Sequence, residues 1–316
     1  MAKHLIIGGT GTLGTALVER LVARGEDVAV LSRGELAQKD MKAMFPTVQM
    51  IVGDVRDRDA VNFAVDGTGA DVVFLLAAIK HVDIAESNPL EAIKSNVLGP
   101  VNVAEAAMRY NVKHVVFSNT DKAILPITTY GYTKALAQSY LLSQNGRTAT
   151  RFSAFAWGNI VASRGSVIPT FVKMLRSGSV VPITHQSMSR FWLTIGAAAD
   201  FMLGSYQDAP TNKAMIPPVK GASVIRVIES IARLLGVKDY VLGNTGLRGI
   251  EKIHEVLETG HDHCLRSDTC EQYTDSELDA LLKGPIESLT HEEMRGVRAG
   301  SSSGKVRKIS SVQMRN

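Results

Sequence analysis

The sequence predicts an α/β fold in which a doubly wound parallel sheet is joined to a smaller C-terminal α/β lobe. Three observations support this prediction. Short apolar strands alternate with helix-like stretches through the first half of the chain, a glycine-rich turn joins the first strand to the first helix, and the alternation stops near Trp157. Alternating strands and helices are typical of a parallel sheet that is covered by helices on both faces.

The composition is that of an ordinary globular protein of one large or two modest domains. The chain has 316 residues, of which 45% are hydrophobic and 21% are charged. No apolar run approaches the ~18–20 residues that a membrane-spanning helix needs, and the first residues lead into a glycine turn rather than a signal-peptide pattern. Two cysteines, Cys264 and Cys270, make no disulfide framework. We therefore expect a cytoplasmic protein with no membrane insertion.

The net charge of +4 comes from the end of the chain. Residues 296–316 contain five basic and no acidic residues, whereas the other 295 contain 30 basic and 31 acidic residues. A body that is close to neutral gives no sign of a nucleic-acid surface. Because residues 300–305 have linker composition, we expect 296–316 to form a flexible basic tail. Contact of this tail with an acidic partner or a membrane is the alternative.

The first strand, turn and helix carry a nucleotide-binding motif. Residues 5–7 are apolar, and helical periodicity places Leu17 and Leu21 on one face of the stretch that follows. In this context glycines let the backbone approach a pyrophosphate, which then faces the helix N-terminus. The alternative is a tight turn without a ligand. We predict a dinucleotide site of the Rossmann type at Gly8, Thr10, Gly11, Thr12, Leu13 and Gly14.

The second strand, residues 28–31, ends in Ser32 and Arg33. A site for NAD usually has an acid at this strand end, which binds the ribose 2′-hydroxyl. A hydroxyl and a guanidinium suit a 2′-phosphate instead, although Glu35 lies a little beyond. The sequence therefore favours NADP, with NAD less favoured. The alternative for Arg33 is a solvated loop charge.

The third and fourth strands, residues 48–52 and 71–76, end in further candidate cofactor residues. Asp54 either reaches an adenine edge or caps the next helix. Small residues after the fourth strand leave room for a cofactor. A long helix is predicted from about residue 89 to 110. The cofactor candidates from this part of the chain are Asp54, Val55, Leu76, Ala77, Lys80, Ser95 and Asn96.

The fifth strand, residues 114–117, leads into a cluster of proton-transfer groups. Asp121 and Lys122 are adjacent, and Tyr130 and Lys134 lie one turn apart in a predicted helix of residues 130–145. Ligands of open α/β sheets bind at the carboxyl ends of the strands. The sequence therefore predicts an active site between residues 118 and 134.

The rest of the chain divides into a return to the sheet, a lobe and the tail. A sixth strand is predicted at residues 149–153, loops with a few helices follow, and the pattern at 195–204 indicates a helix that packs on the sheet. We predict that residues 1–156 bind NADP and that 187–206 return to this domain. Residues 157–186 and 207–295 are predicted to form the lobe that binds the substrate.

In these motifs the chain resembles the extended short-chain dehydrogenase/reductases. More narrowly, it is similar to the soluble UDP-N-acetylglucosamine 4,6-dehydratases that invert C5, a branch of the polysaccharide biosynthesis proteins. The resemblance covers about residues 4–258. It rests on GGTGTLG (8–14), SRGEL (32–36), GDVRD (53–57), AAIKHV (77–82), NPLEAIKSNVLG (88–99), SNTDKA (118–123), YGYTK (130–134), WGNIVASRGSVIP (157–169), PITHQSMSRFWLT (182–194) and RGIEKIHE (248–255).

The Asp-Lys pair before Tyr-x-x-x-Lys discriminates best within this group, since related epimerases and non-inverting dehydratases usually lack it. The chain departs from the family pattern at four positions. Gly34 replaces a frequent Asp, Trp157 the usual Tyr and Ala162 the usual Gly, and Asn119 is an additional residue beside Thr120.

The resemblance implies NADP-dependent 4,6-dehydration of UDP-N-acetylglucosamine or a close UDP-hexosamine for surface glycan or glycoprotein sugars. It implies Tyr130 as the base at the C4 hydroxyl, Lys122 as the C5 base and Asp121 as the acid that assists loss of water. Lys134 is expected to lower the pKa of Tyr130 and to hold the ribose, and Thr120 to bind near C4. A buried lysine acts as a base when desolvation depresses its pKa.

The resemblance also implies cofactor contacts at Ile160 and Arg164 and a homo-oligomer, either a dimer or a hexamer. It implies no metal, so residues 260–264 with Cys270 are expected to form a polar loop. Arg248 suits a diphosphate because a guanidinium grips two phosphate oxygens; Arg190 is a second candidate, with packing over an aromatic ring as the alternative. The substrate-binding candidates are Lys80, Asn159, Val167, Thr184, Arg190, Arg248 and Glu251.

Two other functional classes stay open. One is a UDP-sugar C4 epimerase or a non-inverting dehydratase on the same fold. The other is a non-catalytic NADP-sensing binding protein, which is disfavoured because such proteins usually lose the tyrosine or its lysine, and Tyr130 and Lys134 are both present.

Overall fold

The computed structural model describes residues 2–163, 165–259 and 264–299. The helices are α1 (Thr12–Ala23), α2 (Glu35–Met44), α3 (Arg58–Thr68), α4 (Val82–Ser87), α5 (Pro89–Ile93), α6 (Gly99–Arg109), α7 (Thr129–Ser143), α8 (Val167–Ser177), α9 (Ile195–Ser205), α10 (Val224–Leu235) and α11 (Asp275–Ala299). The strands are β1 (Lys3–Ile7), β2 (Asp27–Ser32), β3 (Gln49–Val52), β4 (Val72–Leu75), β5 (His114–Thr120), β6 (Arg151–Trp157), β7 (Asn159–Ile160), β8 (Val181–Ile183), β9 (Ser189–Leu193), β10 (Ala214–Met215), β11 (Lys220–Ser223), β12 (Leu242–Asn244), β13 (Val256–Thr259) and β14 (Cys264–Arg266).

The main sheet has seven parallel strands in the order β10-β6-β5-β4-β1-β2-β3. This confirms the predicted doubly wound fold. The strand order changes direction between β1 and β4, so a crevice opens there at the carboxyl ends of the strands.

Burial on both faces explains why the strands of this sheet are continuous apolar runs. Every residue of β4 is buried, as are residues 4–7 of β1. One apolar layer lies under α1 and α9, and the other lies under α3, α6 and α7. Parallel sheets that are covered on both faces lack the alternation of half-exposed strands.

The central strands extend beyond their apolar segments. The strand predicted at residues 114–117 continues to Thr120, and β6 continues to Trp157, with Thr120 opposite Trp157 in register. Backbone pairing does not require apolar side chains, so hydrophobicity alone ends these strands too early. As a result, Ser118, Asn119 and Thr120 lie on the last rungs of β5.

The lobe has its own small sheets and its own apolar core. Strands β7, β9 and β11 form one sheet, and β8 pairs with β12. The core is built by α8, α10 and α11 around Trp192 and Ile228. No helix within the described ranges is both long and apolar enough to cross a membrane.

Two elements do not follow the predicted division of the chain. Helix α9 packs against α1 as expected of residues 187–206, but β9, from the same range, pairs with β7 and β11 of the lobe. Strand β10, in the range predicted for the lobe, pairs with β6 as the edge of the main sheet. Strand β10 has only two residues, and hydrophobic periodicity does not indicate the pairing partners of either strand.

Candidate active site

A cleft of about 980 Å³ lies at the carboxyl ends of the central strands. It extends from the glycine turn after β1 to the cluster after β5. Residues that the sequence did not nominate also line it, among them His81, Ser118, Trp157 and Gly158. The nominated residues that line it are Gly8, Thr10, Gly11, Thr12, Leu13, Gly14, Ser32, Arg33, Asp54, Val55, Leu76, Ala77, Lys80, Ser95, Thr120, Lys122, Tyr130, Lys134 and Ile160.

The glycine turn has the geometry that a dinucleotide needs. Gly8 has φ of +87°, and a Cβ there would lie 2.7 Å from the backbone nitrogen of Ala77. Gly11 caps α1 without a side chain that could accept the first-turn N–H groups. The turn and the start of α1 therefore present backbone to the cleft, an arrangement that binds phosphate.

Arg33 and Asp54 lie together at the ends of β2 and β3. The Arg33 side chain is 66% exposed, and its Nη1 lies 3.8 Å from Oδ2 of Asp54. Asp54 does not cap α3, because Asp57 accepts the N–H groups of Asp59 and Ala60. Although burial opposes its charge, the pKa of Asp54 is lowered by hydrogen bonds from Arg56. Asp54 is thus a carboxylate that orients arginines at the rim of the cleft.

Of the nominated cofactor residues that the structure describes, Glu35 and Asn96 do not line the cleft. Glu35 begins α2, and Arg164 lies outside the described residues. Asn96 is buried in a π-helical turn; its Oδ1 accepts from the N–H of Ile79, and its Nδ2 donates to the Ile79 carbonyl oxygen and to Oγ1 of Thr133. Asn96 therefore holds the cleft-lining segment at Ile79 against α7 and does not itself face the cleft.

The proton-transfer cluster forms where β5 meets α7. Oγ1 of Thr120 donates to Oδ1 of Asp121 at 2.9 Å, and Nζ of Lys122 lies 3.0 Å from the same oxygen. A Cβ on Gly131 would lie 2.3 Å from the carbonyl oxygen of Lys122, so glycine lets α7 approach this turn. That approach places the phenol of Tyr130 near Thr120 and Lys122.

Glu255 is a member of this cluster that the sequence analysis missed. Its Oε1 lies 3.3 Å from Nζ of Lys122, and the residue is 2% exposed. It is 133 residues from Lys122 in the chain, so no local spacing connects the two. The one sequence feature that pointed to Glu255 was its position at the end of RGIEKIHE (248–255), a segment that matches the family pattern.

The charge state of Lys122 differs from the expectation. Burial favours the neutral amine, but the carboxylates of Asp121 and Glu255 outweigh it and raise the pKa of Lys122. The predicted depression of this pKa is therefore wrong for the free protein, because it considered burial without the second carboxylate. Burial raises the pKa of Asp121, against the opposing effect of Lys122.

Tyr130 and Lys134 also differ from the expectation. Burial raises the pKa of Tyr130, and the groups that oppose this rise are Lys122 and Thr120 rather than Lys134. Burial lowers the pKa of Lys134 to about 7. Its Nζ donates to the carbonyl oxygen of Ser118 at 2.6 Å and lies 3.9 Å from the ring centroid of Phe117. The predicted effect of Lys134 on Tyr130 is thus absent from this structure.

The Lys134 pKa predicts how stability depends on pH. An unfolded lysine has a pKa of ~10.4, so between pH 7 and 10 the unfolded chain binds more protons at this site than the folded chain. The contribution of Lys134 to the free energy of unfolding therefore rises with pH in this window. We expect Lys134→Met to flatten this rise, measured by urea unfolding at several pH values. An unchanged pH dependence in the variant would contradict the assignment.

Apart from Lys80, which lines the cleft, the nominated substrate residues lie in the lobe, outside the lining of the cleft. Asn159 is in β7, Val167 begins α8, and Oγ1 of Thr184 donates to Sδ of Met188. Arg248 is exposed, and its Nη2 lies 2.8 Å from Oε1 of Glu251. An exposed Arg248 and a half-buried Glu251 thus form an ion pair in the loop before β13.

Arg190 has neither of the two roles considered for it. Its Nη1 donates to the carbonyl oxygens of Ser189 and Ile253, its Nη2 to Sδ of Met188, and its Nε lies 3.9 Å from Oε1 of Glu255. A buried guanidinium with these partners is not available to a diphosphate. It instead connects β9 with the loop before Glu255.

Two departures from the family pattern have structural counterparts. Ala162 has φ of +52°, a conformation that costs a non-glycine residue roughly 1–2 kcal/mol, so the usual glycine fits there better. Nε1 of Trp157 donates to Oγ of Ser118 at 2.9 Å. The indole therefore stabilises the position of Ser118 near the end of β5, beside the cleft.

The described residues contain no group of three or more side chains that could hold a metal ion. Cys264 is exposed, and Cys270 is a partly buried free thiol. Residues 260–263, part of the predicted polar loop, lie outside the described residues. The same holds for residues 300–316 of the predicted tail.

Known proteins resemble this chain over most of its length. A UDP-N-acetylglucosamine 4,6-dehydratase (inverting) of Campylobacter jejuni is 34% identical over 266 residues, which are 82% of this chain and 78% of the relative. A UDP-glucose 4-epimerase of Rickettsia canadensis is 30% identical over 279 residues, which are 85% of this chain and 81% of the relative.

Solved structures share the fold. Pen from Bacillus thuringiensis has a TM-score of 0.82 at 29% identity, with 91% of this chain and 98% of that chain covered. The UDP-glucose 4-epimerase of Thermus thermophilus, in complex with NAD, has a TM-score of 0.72 at 20% identity. The match covers 91% of this chain and 99% of that chain. The polysaccharide biosynthesis protein family matches residues 4–276. With its Rossmann sheet and its Tyr-x-x-x-Lys cluster, the chain belongs to that family.

Proposed function

We propose that this protein is an NADP-dependent UDP-N-acetylglucosamine 4,6-dehydratase that inverts C5. The observation that carries the proposal is the Asp121–Lys122 pair, 3.0 Å apart and in one buried cluster with Tyr130. Oxidation of an alcohol needs only the phenol and a hydride acceptor, whereas loss of water needs an additional base and acid. The similarity to the Campylobacter dehydratase supports the same assignment.

In the proposed reaction Tyr130 reacts as the phenolate, whose charge the neighbouring Lys122 stabilises, and accepts the proton of the C4 hydroxyl beside Thr120. A nicotinamide held in the cleft by the glycine turn would supply the hydride chemistry, as acceptor at C4 and donor at C6. A C4 ketone makes the C5 proton acidic, so Lys122 removes it while Asp121 protonates the departing C6 hydroxyl. Solvent then supplies a proton to C5 on the opposite face, and Tyr130 releases to solvent the proton that it took from the C4 hydroxyl. This gives a 4-keto-6-deoxy sugar and restores the enzyme.

The resting ion pair converts to an acid and a base by a single proton transfer. Lys122 is an ammonium in the free protein, held there by two carboxylates. Transfer of its proton to Asp121, whose pKa burial has raised, gives a neutral amine and a carboxylic acid. Elimination returns a proton to Lys122 and removes one from Asp121, which restores the resting pair.

We propose that the lobe binds the nucleotide part of the substrate. The exposed Arg248 is the diphosphate ligand, and Glu251 orients its guanidinium through their ion pair. Asn159, Val167 and Thr184 complete the nucleotide site, and Lys80 approaches the substrate from the cleft. Ile160 and Ser95 contact the cofactor.

We propose NADP rather than NAD because Arg33 is exposed at the end of β2 and lines the cleft. A charge-assisted hydrogen bond is worth ~1.5–3 kcal/mol. We therefore expect Arg33→Ala to weaken NADP binding by ~10–100-fold and to leave NAD binding within about twofold, measured by calorimetry. Lys39→Ala, on the exposed face of α2, is the matched control. Equal losses for both cofactors would contradict this role of Arg33.

The product distinguishes the proposal from its alternatives. Incubation with UDP-N-acetylglucosamine and NADP in deuterated water should give a product lighter than the substrate by one water, before allowance for deuterium. Proton NMR should show deuterium and inverted geometry at C5. A non-inverting dehydratase gives the same mass change with retained C5. A C4 epimerase, which the Rickettsia relative favours, changes no mass.

We propose a homo-oligomer, either a dimer or a hexamer, formed through α5 and α7. These helices pack together, and they expose Leu90, Ile93, Tyr132 and Leu136. Exposed apolar clusters of this kind mark interfaces. We expect Leu136→Glu to lower the solution mass measured by light scattering, while Leu36→Glu, on α2, does not. A monomeric wild-type protein would contradict the proposal.

The two free thiols of the protein, Cys264 and Cys270, suit a reducing compartment. We therefore propose that the protein acts in the cytoplasm.

A further inference from the structure

Glu255 is a buried carboxylate that comes from the lobe and reaches the proton-transfer pair of the sheet. It lies immediately before β13 and is 2% exposed. Its Oε1 is 3.3 Å from Nζ of Lys122, and Oδ1 of Asp121 is 3.0 Å from the same nitrogen. The ammonium is therefore held between one carboxylate from the sheet and one from the lobe.

Two further cations face Glu255. Nε of Arg190, on β9, lies 3.9 Å from Oε1, and Nζ of Lys252 lies 3.6 Å from Oε2. Lys252 also donates to the carbonyl oxygen of Ile124 at 2.7 Å, two residues after Lys122. Burial opposes ionisation of Glu255, but Lys122 and Arg190 lower its pKa. Glu255 therefore stays a carboxylate at neutral pH.

A buried hydroxyl network fixes the backbone of Glu255. Its N–H donates to Oγ of Ser267 at 3.0 Å, and the N–H of Ser267 donates to the carbonyl oxygen of Glu255. Oγ of Ser267 is 2.7 Å from Oγ of Ser189, which is 2.8 Å from Nδ1 of His254. With Asp268 beyond His254, this series resembles a hydrolytic triad, but Ser189 is buried. The network positions Glu255 and does not attack a substrate.

The two carboxylates beside Lys122, those of Asp121 and Glu255, each have one oxygen without a hydrogen bond. Oδ2 of Asp121 and Oε2 of Glu255 are buried and accept none from the described residues. Buried acceptors of this kind are rare in native proteins and call for an explanation. One such acceptor on either side of Lys122 is the pattern of a catalytic cluster rather than a structural one.

We propose that Glu255 is a positioning residue for proton removal at C5, holding the amine of Lys122 beside Asp121 and stabilising the ammonium that forms there. This inference rests on the proposed dehydration. The C5–H bond breaks and its proton passes to Nζ of Lys122. The electron pair forms the C5–C6 double bond while the C6–O bond breaks, and Asp121 protonates the leaving oxygen. Glu255 gives and takes no proton.

The test is Glu255→Gln, which removes the charge and keeps the shape. Loss of water should slow by ~10²-fold or more, a typical contribution of a positioned base. Oxidation at C4, followed as cofactor reduced in the first turnover, should stay within about twofold. Glu258→Gln, on β13 and paired with Lys213, is the matched control and should behave as wild type.

A second readout reports on Lys122 without activity. The ¹³Cε signal of labelled Lys122, assigned by its absence in Lys122→Arg, should show an ammonium up to pH 10 in the wild type. Glu255→Gln removes a stabilising negative charge, so the lysine should titrate ~1–3 units lower. Asp121, Tyr130, Arg190 and Lys252 face the same cluster and are unchanged.

Each outcome decides the proposal. Wild-type water loss with an unchanged Lys122 titration in Glu255→Gln overturns it. If that variant does not fold, Glu255→Asp withdraws the carboxylate by one methylene; slower water loss with intact C4 oxidation supports the proposal, and equal effects on both steps overturn it. If the wild-type protein releases no water, the proposed function fails, whereas the Lys122 titration still decides whether Glu255 controls the lysine.

Discussion

Lys122→Ala should abolish the release of water while the protein still binds the nucleotide sugar. The variant removes the group that takes the C5 proton and leaves Tyr130, Thr120 and the cofactor cleft in place. Since a positioned base contributes ~10²–10⁴-fold, we expect a loss of that size in the rate of product formation. Mass spectrometry of the product measures the rate, and calorimetry measures UDP-sugar binding.

The variant should also show where the reaction stops. Because C4 oxidation precedes proton removal at C5, reduced cofactor should accumulate in Lys122→Ala and be visible by its absorbance. Lys113→Ala is a suitable control, since Lys113 is an exposed lysine near the start of β5 that pairs with Asp71. A Lys122→Ala protein that loses water at the wild-type rate would show that another group is the base.

Tyr130→Phe should stop the reaction one step earlier. The ring of Tyr130 packs with Ala85 and Ala92, so phenylalanine preserves the packing and removes only the hydroxyl. Without a proton acceptor at the C4 hydroxyl, hydride transfer should fall by ~10²–10⁴-fold. No reduced cofactor should accumulate, in contrast to Lys122→Ala.

Stopped-flow absorbance after mixing with UDP-N-acetylglucosamine measures this step. Tyr140→Phe, on the same helix and outside the cluster, should leave the rate unchanged. If Tyr130→Phe still reduces the cofactor at a normal rate, then Tyr130 is not the C4 base. Slowing of both variants would indicate damage to α7 rather than loss of a catalytic hydroxyl.

The main sheet could be predicted from the sequence because its signals are local. Continuous apolar strands, the glycine turn before α1 and the polar ends of the strands all lie within single βα units. A doubly wound topology then brings those strand ends to one edge. For this reason the predicted cleft residues from Gly8 to Lys134 mostly line one cleft.

The strand pairing of the lobe was less predictable because its strands are short and their partners are distant in the sequence. β10 has two residues and joins the main sheet, and β9 pairs with β7 and β11, which are distant from it in the chain on either side. Such pairings depend on three-dimensional packing, which leaves little trace in hydrophobic periodicity. The roles of Arg190 and Asn96 were misjudged for the same reason, since their partners come from other elements.

The amino-acid sequence by itself determined the sheet, the dinucleotide motif and the presence of Asp121, Lys122, Tyr130 and Lys134 at one strand end. Only the tertiary structure decided the charges of these groups. A pKa depends on burial and on every charge within a few ångströms, whatever its place in the chain. Burial predicted a neutral Lys122, but the carboxylates of Asp121 and of Glu255, which folds back from the lobe, together make it an ammonium.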